Sequence, residues 1–455
     1  MYSFLLGIVG GVITLFSFPP FGLDYLIWFF PIPIFHAYFS ERSVFLTLLG
    51  WGITFYTFSF LGLPFGIFSL LLVSSLAQLL VFTLIIVKLS RAKFATSFYI
   101  LFPSIWVFFE FLQSKGFLGL PFYFLKHLSA PWLSLGVSLY SHPLARFAAF
   151  LGVWGLSLLI LVIGGILHKL LASKKIVLFS ITVSILVSLS FLPKPAYQEE
   201  GNIKIGLVQP CISEEQAHLL TAALSRSIRL STLLFFQQSL DLVVWPLSYF
   251  SFAVPEDSLA KYISHFAKEY HCYIIVGFDG ERLQVYSLDG KLKKAIEGYS
   301  DLPDWKKLFA IHEENMRSGN RVVETERFKF AVIRGLELGY PSLLLDFTNE
   351  GVDFVIGVGD EFFLDLLKAN TVIRSIETGL YVALSTNMGP SLLVSPNGGI
   401  KEIPPFLQST LFGKMSRSQV QTFFSKIKGY WVFLIILLLF VDYVFKFRYS
   451  RSNFF

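Results

Sequence analysis

Two patterns of hydrophobic and polar positions divide the chain. Before residue 193, apolar stretches follow one another with short breaks, and most have the roughly 17 to 25 residues that a helix needs to cross a bilayer. They predict a multi-span α-helical membrane protein with about eight transmembrane helices: Tyr2–Phe18, Asp24–Ser40, Val44–Leu61, Phe65–Leu89, Thr96–Leu112, Leu144–Leu171, Ile176–Leu192 and, near the end, Tyr430–Phe445.

The region from 193 to 429 has the pattern of a layered α/β domain, in which short apolar runs alternate with longer amphipathic segments. Asp289-Gly290 and Asn397-Gly398 are turn signals. Strands are predicted at Ile203–Val208, Leu242–Trp245, Tyr273–Gly277, Gln284–Leu288, Phe328–Ile333, Asp353–Val358, Tyr381–Ser385 and Leu392–Val394, and helices at Ser213–Gln238, Glu256–Tyr270 and Glu361–Glu377. The predicted domains are therefore a transmembrane domain at 1–192, an external α/β domain at 193–429, and a last helix with a basic tail at 430–455.

Composition agrees with a membrane protein. Of 455 residues, 54% are hydrophobic and only 15% are charged, which is too apolar for one soluble domain. The two cysteines, Cys211 and Cys272, make neither a disulfide framework nor a metal site, and no cofactor is expected. A bridge between the two remains an alternative, although one lies at a strand end and the other at a strand start.

The basic residues predict the orientation. Clusters at Lys88 to Lys93, Lys169 to Lys175 and Lys446 to Arg451 follow the fourth, sixth and eighth predicted spans. With both termini in the cytoplasm, all three clusters fall on the cytoplasmic side, and residues 193–429 lie outside, in the periplasm where a cell has two membranes. The apolar loop from Ser114 to His142 is then external, and is interpreted equally as a packed connector or as a membrane-surface segment.

Several motifs resemble, in order, those of the apolipoprotein N-acyltransferase family. The resemblance covers nearly the whole chain, and no single motif decides it. The matching segments are Phe18–Leu23, Pro103–Glu110, Val153–Ser157, Leu207–Gln209, Asp241–Pro246, Arg374–Gly379 and Thr386-Asn387.

The resemblance implies a bacterial cytoplasmic (inner) membrane enzyme whose external domain is a nitrilase-like α-β-β-α sandwich. In this family an acyl chain passes from a phospholipid to the α-amino group of the diacylglyceryl cysteine of a lipoprotein, through a thioester on an enzyme cysteine. A glutamate serves as the base, and a lysine stabilises the oxyanion. Phospholipid, bacterial lipoprotein and the membrane are thus the implied partners, and nucleic acid is not.

The three residues that carry this chemistry are replaced here. Leu247 follows Trp245-Pro246, where the family has its glutamate, and Gly298 occupies the position of the lysine. Gly335 occupies the position of the cysteine, in a register fixed by the run Glu337-Leu338-Gly339-Tyr340-Pro341. Family positions at Gly359–Phe363 are also altered.

Three residues remain candidates for a relocated or residual role. Cys211 is a candidate nucleophile, against the interpretation that it is merely a small, partly buried residue. Glu110, inside a predicted span, has either a structural or a lipid-handling role, since an acidic group at that depth is costly. Glu337 is either a catalytic remnant or a hydrogen-bonded turn residue.

Three functions are compatible with these observations. The first is a family member that has lost the glutamate, lysine and cysteine chemistry and binds lipid, lipoprotein or a partner protein. The second is an active N-acyltransferase with relocated catalytic residues. The third, a transporter or channel, is disfavoured because the predicted spans carry few charges apart from Glu110.

Overall fold

The computed structural model describes residues 1–61, 65–91, 98–114, 131–213, 220–247, 256–277, 282–296, 321–359, 364–417 and 421–452. The chain forms two compact units. One joins Met1–Lys194 to Phe423–Phe455 and is helical, and the other, Pro195–Thr422, contains all the described strands. Each unit is treated by itself below.

The helical unit consists of nine described α-helices and short 3-10 turns. The α-helices are α1 (Tyr2–Ser17), α2 (Ile32–Phe39), α3 (Val44–Ser59), α4 (Phe65–Arg91), α5 (Phe98–Ser114), α6 (Ala148–Ala172), α7 (Ile176–Ser190), α12 (Phe423–Ile427) and α13 (Trp431–Ser452). Short 3-10 segments cover Asp24–Phe29, Pro131–Leu133, Leu135–Leu139 and Pro143–Phe147.

Two helical segments within the described residues are long and apolar enough to cross a membrane, Leu71–Leu89 and Pro143–Ala172. Five shorter apolar helices accompany them, so the eight predicted spans are not confirmed. The predicted span at Asp24–Ser40 is not one helix but a 3-10 segment and the eight-residue helix α2. Pro31 separates the two pieces, since proline has no N–H to continue a helix, and eight residues rise only about 12 Å.

Helices α1 and α3 pack backbone to backbone. A Cβ atom on Gly7 would lie 2.0 Å from the carbonyl oxygen of Thr47, so this contact requires glycine. Beside it, the indole Nε1–H of Trp51 donates a hydrogen bond of 2.9 Å to Oγ1 of Thr14. Small residues that allow close approach are typical of helix packing in lipid.

The second unit contains twelve strands and four described helices. The strands are β1 (Ile203–Gln209), β2 (Leu242–Leu247), β3 (Tyr273–Gly277), β4 (Leu283–Tyr286), β5 (Leu292–Ile296), β6 (Val322–Glu324), β7 (Lys329–Arg334), β8 (Phe354–Val358), β9 (Tyr381–Ser385), β10 (Ser391–Val394), β11 (Ile400–Ile403) and β12 (Ser409–Met415). The helices are α8 (Leu220–Gln237), α9 (Glu256–Tyr270), α10 (Pro341–Asn349) and α11 (Leu364–Thr378).

The strands form two six-stranded sheets that pack face to face. Their orders are β12-β1-β2-β3-β4-β5 and β11-β10-β9-β8-β7-β6. Alternate residues of both sheets, such as Ile205, Val244, Val332 and Ile356, fill one apolar core between them. The opposite face of the first sheet packs against α8 and α9, and α11 contacts β9 and β10 of the second. The predicted α-β-β-α sandwich is therefore confirmed.

The turns and registers explain where side chains for a site can meet. Gly290 and Gly398 have positive φ values of 79° and 84°, as the two predicted turns require.

Strands β7, β8 and β9 are parallel neighbours, with Arg334 opposite Val358 and Val358 opposite Ser385. Their carboxyl ends thus meet at one edge, which is where open α/β sheets usually place chemistry.

Candidate functional site

The site predicted from the family register is a sharp strand-to-helix elbow. Strand β7 ends at Arg334, and Gly335 starts a 3-10 turn that runs to Gly339. Pro341 then occupies the first turn of α10, where a missing N–H costs nothing. The elbow presents Gly335 at the strand end, where a nucleophile would be placed.

The backbone at Gly335 is packed too closely to carry a side chain without a shift. An ideal Cβ there would lie 2.9 Å from the Cα of Gly359 and 3.1 Å from Cδ2 of Leu367. Gly359 is itself fixed, because its N–H donates a hydrogen bond of 2.8 Å to the carbonyl of Ser385. The elbow is therefore closed by main chain as well as lacking a thiol.

Glu337 lies in a buried ion cluster. It is 2% exposed, accepts a hydrogen bond of 2.7 Å from Nη2 of Arg321, and also bonds Nη1 of that guanidinium. Its Oε2 accepts from the backbone N–H of Arg334 at 2.9 Å, and Nη1 of Arg334 lies 3.5 Å from Oε1. Both carboxylate oxygens are occupied, so Glu337 is placed as a structural anchor of the elbow.

Burial alone would raise the pKa of the Glu337 carboxyl. The positive charges of Arg321 and Arg334, together with their hydrogen bonds, outweigh burial and hold its pKa below the ordinary value. A carboxylate with a depressed pKa is a weak base, which is the opposite of what proton abstraction needs.

Acidification tests this assignment. Because the folded pKa of Glu337 is depressed, the cluster contributes its full stability above the pKa of the unfolded chain, about 4.3 for glutamate, and loses it as pH falls through the folded pKa. We expect Glu337→Gln to be less stable than wild type at neutral pH, with the difference shrinking below about pH 4. Denaturant unfolding of both proteins in detergent, stepped from pH 7 to pH 3, measures this. A constant difference over that range would contradict it.

Of the other two family positions, Leu247 is described only in its main chain, and Gly298 is outside the described residues. Leu247 is the last residue of β2, where a register shift separates it from Trp245 in the pairing with β3. Its side chain lies outside the described part of the chain, and so does Gly298. The three positions are therefore not brought together by any described contact, and the assignments of Leu247 and Gly298 stay predictions.

Cys211 is partly buried and follows β1 near the carboxyl end of β9. Its N–H donates a hydrogen bond of 3.2 Å to the carbonyl of Asn387, and its own carbonyl accepts one of 3.0 Å from Arg226. The side chain of Asn387 also bonds the main chain of Ile212, at 2.9 and 2.8 Å. Asn387 thus fixes this loop through both its main chain and its side chain.

The two cysteines are free thiols in the structure. Cys272 is buried, and burial raises the pKa of its thiol to about 12, so it stays protonated and unreactive at neutral pH. The alternative of a disulfide between Cys211 and Cys272 is not what the structure shows. Within the described residues, no group of His, Cys, Asp and Glu is arranged to hold a metal ion.

Glu110 lies in the helical unit and links three segments. Its Oε1 accepts hydrogen bonds from Nε1 of Trp106 at 3.0 Å and from the N–H of Leu135 at 2.9 Å. Its Oε2 accepts the hydroxyl of Ser157 at 2.6 Å, and that hydroxyl oxygen accepts the N–H of Gly136 at 2.9 Å. This network joins α5, α6 and the 3-10 segment between them, which favours the structural interpretation of Glu110.

Two substitutions at Glu110 are expected to separate the contribution of its hydrogen bonds to stability from that of its negative charge. Glu110→Ala removes the acceptor of the buried N–H groups of Trp106 and Leu135, whereas the hydroxyl of Ser157 can still donate to the carbonyl of Val153 at 3.3 Å. We expect about 2 kcal/mol of destabilisation. Glu110→Gln keeps an oxygen for Trp106 and Leu135 and should cost less than half as much. Thermal unfolding in detergent compares them, with Ser104→Ala as a control that removes only a bond within its own helix. An alanine variant as stable as wild type would exclude the structural role.

Two features of the elbow were missed by reasoning from sequence. Arg321 is 1% exposed, and its pairing with Glu337 gives no signal in a pattern of apolar and polar positions. The contact of Gly335 with Gly359 was likewise unforeseen, although a glycine directly after each of two adjacent strands was visible. Arg374 and Glu377 form a second buried ion pair, with Nη1 2.7 Å from Oε2, which gives Glu377 a role in the fold.

Among solved structures, this chain has a distant likeness to an amidase and a carbon-nitrogen hydrolase. A cysteine mutant of the Nesterenkonia amidase of the nitrilase superfamily is 14% identical, with a TM-score of 0.36, over 48% of this chain and 92% of that one. A carbon-nitrogen hydrolase from Helicobacter pylori is 15% identical, with a TM-score of 0.34, over 46% and 88%.

Comparison with sequences is more specific. Residues 10–166 match the model of the apolipoprotein N-acyltransferase N-terminal domain. The apolipoprotein N-acyltransferase of Geobacter metallireducens is 24% identical over 93% of this chain and 91% of its own length. Those of Coxiella burnetii and Aquifex aeolicus are also 24% identical, over 70% and 87% of this chain and 71% and 94% of theirs. Together with the ordered motifs, these matches show that the chain is similar to apolipoprotein N-acyltransferases over most of its length.

Proposed function

We propose that this chain is a family member that keeps the membrane-attached fold but has lost the thioester chemistry. The observation that carries the proposal is the contact between Gly335 and Gly359. A nucleophile at this point needs a Cβ, and a Cβ would stand 2.9 Å from main chain. The family reaction begins with attack by a thiolate on a phospholipid ester, so without that sulfur no acyl-enzyme forms.

The ion cluster supports the same conclusion. With Arg321 and Arg334 occupying both oxygens of Glu337, the nearest described carboxylate to the elbow is committed to charge pairing. Loss of a covalent nucleophile alone costs many orders of magnitude in rate. Substitution at the base and lysine positions as well, Leu247 and Gly298, favours loss of the reaction over exchange of one residue.

The partners follow from the family. The relatives are named as apolipoprotein N-acyltransferases, so the ligands proposed for this chain are phospholipid and bacterial lipoprotein, bound without turnover. Its proposed place is the bacterial inner membrane as a multi-pass protein. The domain at 193–429 would face outward and both termini the cytoplasm, as the basic clusters suggest.

Complementation tests the proposal. The chain is expressed in bacteria depleted of their own N-acyltransferase, and a reporter lipoprotein is analysed by mass spectrometry for the N-linked acyl chain. We expect only the diacylglyceryl form, with the chain present in the membrane by immunoblot. The apolipoprotein N-acyltransferase of Geobacter metallireducens, expressed in the same way, is the positive control.

Restored N-acylation would refute the proposal and favour relocated catalytic residues. In that case Cys211 is the residue to test, because hydrogen bonds connect its loop to the elbow. Its N–H bonds Asn387, two residues beyond Ser385, whose carbonyl accepts the N–H of Gly359. If Cys211→Ala abolished restored activity and Cys272→Ala did not, Cys211 would be the moved nucleophile.

A further inference from the structure

The outward face of α8 carries an exposed stripe of apolar and basic residues. Arg229, Leu233 and Phe236 are spaced at i, i+4 and i+7, so they lie along one side of the helix. Phe236 is 84% exposed and Leu233 48%, whereas Leu230 and Leu234 on the other side are buried against the first sheet. The fold is satisfied by the inner side, and the exposed pair serves no described contact of the core.

Basic residues flank this stripe. Helix α8 has no acidic residue between Leu220 and Gln237. Past its end, Nζ of Lys204 donates a hydrogen bond of 2.9 Å to Oγ of Ser239. Lys204 on β1 stands directly opposite Lys414 on β12, so both side chains leave the face of the sheet that carries α8. Two like charges directly opposite each other destabilise a strand pair, and the carboxylate of Asp241, whose Oδ2 accepts the N–H of Lys204 at 2.8 Å, offsets part of this repulsion.

We propose that this surface, formed by Arg229, Leu233, Phe236, Lys204 and Lys414 and named here the α8 surface, docks on a bilayer rich in anionic phospholipid. An exposed aromatic and a leucine among basic side chains match the interface of such a membrane. The ring enters the headgroup boundary, and the lysines lie at the phosphates. The net positive charge selects anionic lipid over a neutral apolar partner.

Chain connectivity agrees with this occupant. Lys204 follows the end of α7 at Ser190 by a short segment, and Lys414 shortly precedes α12, which begins at Phe423. Both belong to strands through which the chain enters and leaves the second unit. The α8 surface is independent of the elbow, so the proposal stands whether or not the protein transfers acyl groups.

Fluorescence in nanodiscs tests the proposal on the full chain. The variant Cys211→Ser/Phe236→Cys is labelled with the environment-sensitive dye NBD and placed in phosphatidylcholine discs with or without phosphatidylglycerol. Cys272 is buried and should not react. We expect a blue shift and quenching by brominated lipid that are several-fold stronger with phosphatidylglycerol and are reversed by high salt. The matched control is Cys211→Ser/His265→Cys, whose label, on the exposed side of α9, should stay in water.

Charge reversal supplies the specificity arm. Lys204→Glu/Lys414→Glu should remove most of the added quenching while leaving the label at position 265 unchanged. Equal quenching in both lipids, or none, would overturn the proposal. So would a blue shift without lipid quenching that rises with protein concentration, since that marks contact between protein copies. Where the cysteine variants do not fold, hydrogen exchange of wild-type residues 229–239 in the two lipids decides, slower exchange with phosphatidylglycerol being expected.

Discussion

Restoring all three family residues is expected to leave the protein inactive. In depleted cells, the variant Leu247→Glu/Gly298→Lys/Gly335→Cys should accumulate diacylglyceryl lipoprotein, as the parent chain is expected to do. The reason is steric, because a cysteine Cβ at position 335 must displace the Cα of Gly359 from 2.9 Å. The N–H of Gly359 donates a hydrogen bond to the carbonyl of Ser385, which holds the main chain of Gly359 in place. A nucleophile misplaced by about 1 Å loses on the order of a hundredfold in rate even where every group is present.

The measurement is mass spectrometry of a reporter lipoprotein, normalised to the amount of variant in the membrane. Adding Leu367→Ala relieves the 3.1 Å contact with the leucine side chain but leaves the glycine contact, so it should not rescue transfer. N-acylated lipoprotein from the triple variant would show that the elbow lacks only the catalytic side chains and has room for them.

Stability gives the same test without an assay for activity. Gly335→Ala should cost about 1–3 kcal/mol, the usual cost of overpacking a dense site. Gly206→Ala on β1 is the matched control, since its Cβ would also lie 2.9 Å from its neighbours. Those neighbours are the Cδ1 tips of Leu234 and Leu240, which can rotate away. Equal costs at the two glycines would show that the main chain around Gly335 is compliant.

The sandwich could be predicted because its central elements carry strong local patterns. Helix α9 and strands β3 and β9 have the predicted bounds, Glu256–Tyr270, Tyr273–Gly277 and Tyr381–Ser385. Strands β5, β6, β11 and β12 were missed. Strand β5 reads LKKAI and β6 has three residues, so neither offers an apolar run, and β12 contains Gly413 and Lys414. Their pairing partners, far away in sequence, determine them more than their own residues do.

In the helical unit the error is the opposite one, because an apolar segment can be predicted as one long helix although the helix is interrupted. The segment at Asp24–Ser40 is apolar enough for a span, yet it breaks at Pro31. Of the external loop expected at Ser114–His142, the structure describes Ser114, at the end of α5, and the residues from 131 onward. There Leu135–Leu139 is buried, and the N–H of Leu135 donates to Glu110. That part is a packed connector, and the predicted membrane-surface role of the rest lies outside the described residues.

The position of the elbow could be predicted from sequence, but the close packing at Gly335 and the charge pairing of Glu337 could not. The register around Gly335 rests on local residues, and the structure does place that glycine at a strand end. The closure depends on Gly359 and the charge pairing on Arg321, both brought in by tertiary packing. The sequence shows that position 335 has no side chain, but it does not show that the neighbouring main chain leaves too little space for one.

Removal of the Glu337 carboxylate is expected to have the largest effect on stability of any single change near the elbow. Glu337→Ala leaves the guanidinium groups of Arg321 and Arg334 buried at 1% and 4% exposure without this shared counter-ion. Breaking a buried pair by deleting one partner typically costs about 3–5 kcal/mol, because the remaining charge is desolvated. The variant also frees the N–H of Arg334 that begins the turn.

Chemical denaturation at neutral pH measures the loss, and two controls separate charge from cavity. Glu199→Ala removes the partner of Lys401 from a pair whose side chains are 43% and 39% exposed, and should change stability little. Arg321→Met/Arg334→Met/Glu337→Leu replaces all three ions with apolar volume, and should recover much of the loss, since such exchanges are often neutral or stabilising. Recovery would mean that the buried ions contribute charge compensation more than net stability. A Glu337→Ala variant as stable as wild type would instead mean that solvent reaches the two arginines, and that the elbow is more open than its packing indicates.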